Sequence, residues 1–171
     1  MYAANANTTV VGGYTHYLGE EKDGGIIFYL FTGSDGLEHG LIVSNTESTP
    51  VKWQNAFAQT NATRLDDGVY NTQLMTDSPA KDYVSSLGTG WYIPSMDEIM
   101  LLFSNRYYIN KTIDLTSGTT MAGSLSSPPY WSSTESVTNS NTAVVLWSYK
   151  DFDITGQNKT LNGIVRAIRS F

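Results

Sequence analysis

The side chains able to do covalent or acid–base chemistry are few, and their spacing is poor. The chain contains two histidines, His16 and His39, and no cysteine. Thiol nucleophiles, disulfides, zinc knuckles and iron–sulfur sites are therefore excluded together. Both histidines lie in turn-rich sequence, and neither has a second His or a Glu at helical spacing, so a zinc site is not expected. No G-x-S-x-G elbow, phosphate-binding loop or G-x-G-x-x-G string occurs. The carboxylate pairs Asp66-Asp67 and Asp151/Asp153 do not fit a loop of alternating oxygen ligands closed by a bidentate Glu, so they read as solvated turn residues. No catalytic residue, metal or cofactor is expected, and an enzyme is the least supported class.

Aromatic side chains point to recognition instead. Eleven Tyr, six Phe and four Trp make 12% of the chain, with Tyr in excess. Tyr and Trp join a large apolar face to a polar tip at little rotamer cost, which suits contact surfaces. Trp147, Tyr149 and Phe152 share one segment with Lys150, Asp151, Asp153 and Asn158. Trp53, Trp91 and Trp131 each flank an expected strand or helix and read as core, as does Phe152; Trp147 divides evenly between core and contact surface.

The remaining composition sets limits. A chain of 171 residues with 40% hydrophobic side chains has enough material for one domain with a real core. A net charge of −6 supplies no basic stripe for phosphates, so nucleic acid is an unexpected partner. Membrane insertion is not expected either, because the most apolar stretch, Gly24–Phe31, is far shorter than the roughly 20 residues a spanning helix needs. Residues 1–20 lack the basic start and apolar run of a signal peptide, as in a mature product, a piece of a longer chain or a virion component. Asn-x-Ser/Thr sequons begin at Asn7, Asn61, Asn110 and Asn158, as chance provides in so Asn- and Thr-rich a chain.

Several elements that must position these residues are legible. Residues 1–21 read as an arm or connector with a short strand at Thr8–Val11, and 22–171 as the binding domain. Gly25–Phe31 is β-branched and aromatic on both alternating faces, so it reads as a strand covered on both sides. The Asp35-Gly36 pair then turns the chain into a second strand at Leu41–Ser44. Residues 45–70 form a long excursion with a short helix near Trp53–Ala58. A helix opening at Ser78-Pro79 carries Ala80, Tyr83, Val84 and Leu87 on one stripe and stops at Gly88. A second begins at Ser95, with Glu98 three residues on as its capping-box partner. Helical periodicity ends at Tyr107, and 116–129 is loop. Tyr130–Thr134, Ala143–Tyr149 and Ile164–Arg169 read as strands, with Asp151–Thr160 as a hairpin tip holding one irregular strand. Segregated helices and strands argue an α+β fold with a mixed or antiparallel sheet.

Read in order, several strings also match a family pattern. They are Gly24–Leu30, His39–Ser44, Trp53, Asp67-Gly68, Asn71-Thr72, Gly90–Ser95 with Glu98-Ile99, Tyr130–Glu135 and Val165–Arg169. From about residue 22 to 171 the chain resembles the C-terminal domain of Lcl-type collagen-like adhesins, a family of C-type lectin-like fold. That fold is shared with formylglycine-generating enzymes and with the variable proteins of diversity-generating retroelements. The resemblance implies a sheet whose first and last strands lie together, two helices packed on it, and a loop-rich binding face. It also implies that Trp131 and the Arg166–Arg169 segment line the central sheet.

Within that frame Ile164, Arg166 and Ile168 alternate onto one face, so Arg166 needs a carboxylate, with Glu98 and Glu135 as the candidates. Trp131, Ser95, Glu98 and Arg166 are thus expected to be structural. The formylglycine activity does not carry over, because that chemistry needs cysteine or copper. Calcium-dependent sugar binding does not carry over either, because Trp131 is followed by Ser132 and no Glu-Pro-Asn, Gln-Pro-Asp or Trp-Asn-Asp string occurs. The function implied is non-enzymatic adhesion or receptor binding at a bacterial or virion surface, to a host-surface glycan or protein. In it Trp147 and Tyr149 stack while Asn139, Asn141, Asp151, Asp153 and Asn158 hydrogen-bond. A homo-oligomer or fibre would multiply weak single contacts. In a retroelement-diversified protein, related chains would vary at Trp147, Tyr149, Asp151, Asp153 and Asn158 and keep Tyr130–Glu135 constant. The alternative is a structural decoration domain whose loops bind sister subunits.

Overall fold

A computed structural model describes residues 13–121, 127–149 and 152–171. The short strand expected at Thr8–Val11, and Asp151, lie outside them. Strand β1 (Glu21–Lys22) turns at Asp23-Gly24 into β2 (Gly25–Thr32), which pairs antiparallel with β3 (Glu38–Ser44). Asp23 and Gly24 both have positive φ, 49° and 84°, as a two-residue hairpin turn of matching twist demands. Only Gly25–Phe28 of β2 is covered on both faces; beyond a bulge between Ile27 and Tyr29 the strand emerges into solvent. Then follow β4 (Val51–Lys52), α1 (Gly68–Leu74), α2 (Pro79–Ser86), α3 (Met96–Ser104) and α4 (Arg106–Ile113). The chain closes with β5 (Tyr130–Glu135), β6 (Thr142–Trp147), β7 (Asp153–Asn158), β8 (Asn162–Gly163) and β9 (Ile168–Ser170).

These elements make an α+β fold with antiparallel sheets in the orders β1-β2-β3-β9, β4-β8 and β5-β6-β7. The last strand lies against β3, so it neighbours the first hairpin without touching β2 in the ladder. Bridges at Tyr92–Ile168 and Tyr130–Ile164 tie the Ile164–Ile168 segment to both sides of the molecule. Most of that segment is therefore not the continuous strand expected for Ile164–Arg169. It runs between two cores: Ile164 and Ile168 enter one with Phe28 and Phe103, and Val165 and Ala167 enter the other with Trp53 and Trp131.

The marked helix ends form as the local signals require. Ser78 accepts from Lys81 N ahead of Pro79, and Ser95 and Glu98 close a reciprocal capping box. Two further helices, α1 and α4, go beyond the two capped ones that the sequence predicts. α1 is capped by Asp67, which accepts from Tyr70 N, but its buried Gly68, Asn71 and Thr72 give no apolar stripe. α4 buries only Ile109 and Ile113, one turn apart, and has no side-chain cap. Thr112 Oγ1 anchors it by donating to Gly19 O at 2.6 Å. Both are held by tertiary contact, which overrides weak propensity.

No helix forms at Trp53–Ala58. Trp53 is fully buried there, and its indole N–H donates to Ser132 O at 2.8 Å, while the Trp131 indole donates to Val51 O at 2.9 Å. This reciprocal pair fastens the long excursion to β5. The backbone N–H groups of Trp53 and Gln54 both donate to Lys159 O, which ties the same stretch to the segment after β7.

Candidate functional site

The residues expected to bind ligand lie on or beside the β6–β7 hairpin, at its two ends. Antiparallel pairing sets Trp147 opposite Asp153 and Thr142 opposite Asn158. Five residue steps separate those pairs, about 17 Å along the strand. At one end Trp147 and Tyr149 meet edge to face, ring centroids 5.6 Å apart, both half-buried, with Asp153 exposed beside them. The Trp147 indole N–H donates to Thr155 Oγ1 at 3.0 Å, which fixes the ring on the hairpin. At the other end Asn139 spends its side chain on the turn, accepting from Asn141 N at 3.1 Å. Asn139, Asn141 and Asn158 are all exposed there. A polar groove of about 350 Å³ adjoins that end, lined by Gln59, Thr63, Glu135, Ser136, Thr138 and Ser140 among others.

Two aromatic side chains differ from expectation. Phe152 is not core: it is 38% exposed, with the Arg106 guanidinium 4.3 Å from its ring. Its backbone is left-handed, φ 63°, and its ring is tilted against Phe103, centroids 6.1 Å apart. Trp91 is half-buried, with Arg169 over its ring at 5.2 Å. Trp53 and Trp131 are core, as expected.

Arg166 is fully buried, and its carboxylate is Glu47, at 3.6 Å. Neither expected partner reaches it. Glu98 is taken by the capping box, by Gly68 N and by the Tyr92 hydroxyl, which donates at 2.8 Å. Glu135 is buried against Lys159, which is itself fully buried. Arg166 also donates to Thr119 O and Asn45 O, while its Nε finds no protein partner.

Lys159 is the buried structural cation that sequence reasoning missed. It sits 4.6 Å from the Trp53 ring centroid and donates to Ala58 O and Glu135. Glu135 in turn accepts from Thr60 N, Thr60 Oγ1 and Asn61 N. A lone Lys in a polar segment reads as solvated surface, and no local signal distinguishes it.

Burial raises the pKa values of Glu47 and Glu98 above the usual carboxylate range, against the hydrogen bonds that each accepts. It pushes the Tyr92 and Tyr130 phenols well up too, so both remain neutral donors to those carboxyls. A carboxyl whose folded pKa is raised binds its proton more tightly in the folded chain. The stability it contributes is complete below the unfolded value, about 4.3, and is lost as pH rises through the folded value. Glu98→Gln is therefore expected to flatten the fall in urea midpoint that sets in as pH rises above about 4. A mutant profile as steep as the native one would contradict this assignment.

Among the described residues no group of three or more His, Cys, Asp or Glu side chains is placed to hold a metal ion. The histidines pair locally, His16 with Glu20 at 2.9 Å and His39 with Asp35 at 3.0 Å. No described helix is long and apolar enough to cross a membrane. No protein-family model matches the chain, and no curated protein matches it.

Proposed function

We propose that this chain is a non-enzymatic binding module of C-type lectin-like fold, which presents the Trp147 end of its β6–β7 hairpin to a glycan or protein. The observation that carries the reading is the Trp147–Tyr149 pair, half-buried and oriented edge to face, with exposed Asp153 opposite. An aromatic pair held by a hairpin loses little entropy on contact, and a carboxylate beside it accepts ligand hydroxyl or amide hydrogens. Asn139, Asn141 and Asn158 lie too far along the strand to share one small ligand with Trp147, so they serve a longer ligand or a second contact. Asp151 completes the reading as a polar neighbour of the aromatic pair in sequence.

In this reading the module works at the surface of a bacterium or virion, in several copies, because a few neutral contacts per site give modest affinity. The retroelement form of the proposal places sequence variation at Trp147, Tyr149, Asp151, Asp153 and Asn158 while Tyr130–Glu135 stays fixed. Glycan-array and cell-surface binding by the full chain tests the function. Trp147→Ala/Tyr149→Ala is expected to abolish the bound signal with the fold intact by circular dichroism. Binding untouched by that pair would overturn the assignment.

A further inference from the structure

A second cleft lies on the other sheet, away from the β6–β7 hairpin. It has a volume of about 270 Å³ and opens between the β1–β2 turn, the segment after β3, the end of α2 and β9. Its walls include Asp23, Asn45, Thr46, Leu87, Trp91 and Arg169. These walls are already set. Arg169 Nη2 donates to Asp23 O at 2.9 Å, faces the Asp23 carboxylate at 3.8 Å and lies over the Trp91 ring. Two glycines clear the space around that stack. A Cβ at Gly90 would stand 3.1 Å from Arg169 Cδ, and one at Gly25 would stand 3.0 Å from the Trp91 ring and 2.4 Å from Val43 O.

The chemistry of the walls selects a ligand class. An anion would face Asp23 and a cation would face Arg169, so a formal charge of either sign is opposed. A neutral molecule carrying several hydroxyls can donate to Asp23 and accept from Arg169 while laying its apolar C–H face on Trp91 and Leu87. The volume, about 270 Å³, falls just below the roughly 300–1,000 Å³ of drug-sized sites, which suits a single ring. We propose that the cleft formed by Asp23, Asn45, Trp91 and Arg169 binds a single neutral sugar ring. It is separate from the Trp147 surface, so either assignment can fail alone.

The test is an NMR titration of the full chain with methyl glycosides of glucose, galactose, mannose and N-acetylglucosamine, and with methyl glucuronide as the charged control. The chain has four tryptophans, so the Trp91 indole resonance is assigned by its disappearance in Trp91→Phe. At least one neutral glycoside is expected to shift that resonance saturably. Asp23→Asn keeps a residue type that tolerates positive φ in the turn, and is expected to weaken binding about tenfold by removing a charged acceptor. Trp147→Ala/Tyr149→Ala is expected to leave the Trp91 shift unchanged. No Trp91 shift with any neutral glycoside would overturn the proposal. Binding of the glucuronide alone, or shifts confined to Trp147, would do the same.

Discussion

Glu135→Ala is expected to destabilise the fold by about 4–5 kcal/mol, the upper part of the range for breaking a buried ion pair. The loss exceeds one contact. Lys159 would keep Ala58 O, Gln54 Oε1 and the Trp53 ring but no counter-charge, and the Thr60 and Asn61 amides would lose their acceptor. Lys159→Ala is expected to cost less, about 3 kcal/mol, because Glu135 retains those donors from Thr60 and Asn61. The double replacement Glu135→Leu/Lys159→Met removes both charges and is expected to be milder than Glu135→Ala alone. Urea unfolding measures all three. The amides of Thr60 and Asn61 are also expected to exchange faster in Glu135→Ala, since the pair pins the long excursion to β5. A Glu135→Ala variant within about 1 kcal/mol of native, the level of an exposed pair, would show that the pair is solvated in solution.

Trp131→Ala is expected to cost a further class of energy, about 3–5 kcal/mol, through a cavity and a lost donor. The side chain is fully buried at the centre of one core, and its indole N–H satisfies Val51 O. Trp131→Phe keeps most of the volume and orphans only that carbonyl, so it is expected to cost about 1–3 kcal/mol. The same packing explains Gly163, where a Cβ would stand 2.6 Å from Trp131 Nε1. Thermal unfolding of the two variants separates the cavity from the hydrogen bond. Equal losses would assign the whole effect to the carbonyl.

Both predictions rest on contacts between residues distant in sequence, and the candidate sites divide along the same line. The aromatic and carboxylate cluster at 147–153 was legible because its members are neighbours in the chain. Its division from Asn139, Asn141 and Asn158 was not, since only the β6–β7 register sets that spacing. The Trp91–Arg169–Asp23 cleft was illegible for a stronger reason: its walls come from four separate stretches. Phe152 reads as core by composition, yet its left-handed backbone and the Arg106 guanidinium hold it at the surface.

By itself the sequence determined whatever is decided within a few residues. The Asp-Gly turn of the β2–β3 hairpin, the Ser78 and Ser95 caps and the absence of thiol chemistry belong here, because turns and caps are closed by bonds spanning three or four positions. Tertiary structure alone decided which carboxylate answers each buried cation. Glu47 and Glu135 are chemically equivalent along the chain. The local capping box already claims Glu98, and only the packing of the excursion against β5 commits Glu135 to Lys159, leaving Glu47 for Arg166. A buried charge must be matched where it lies in space, and sequence distance carries no information about that position.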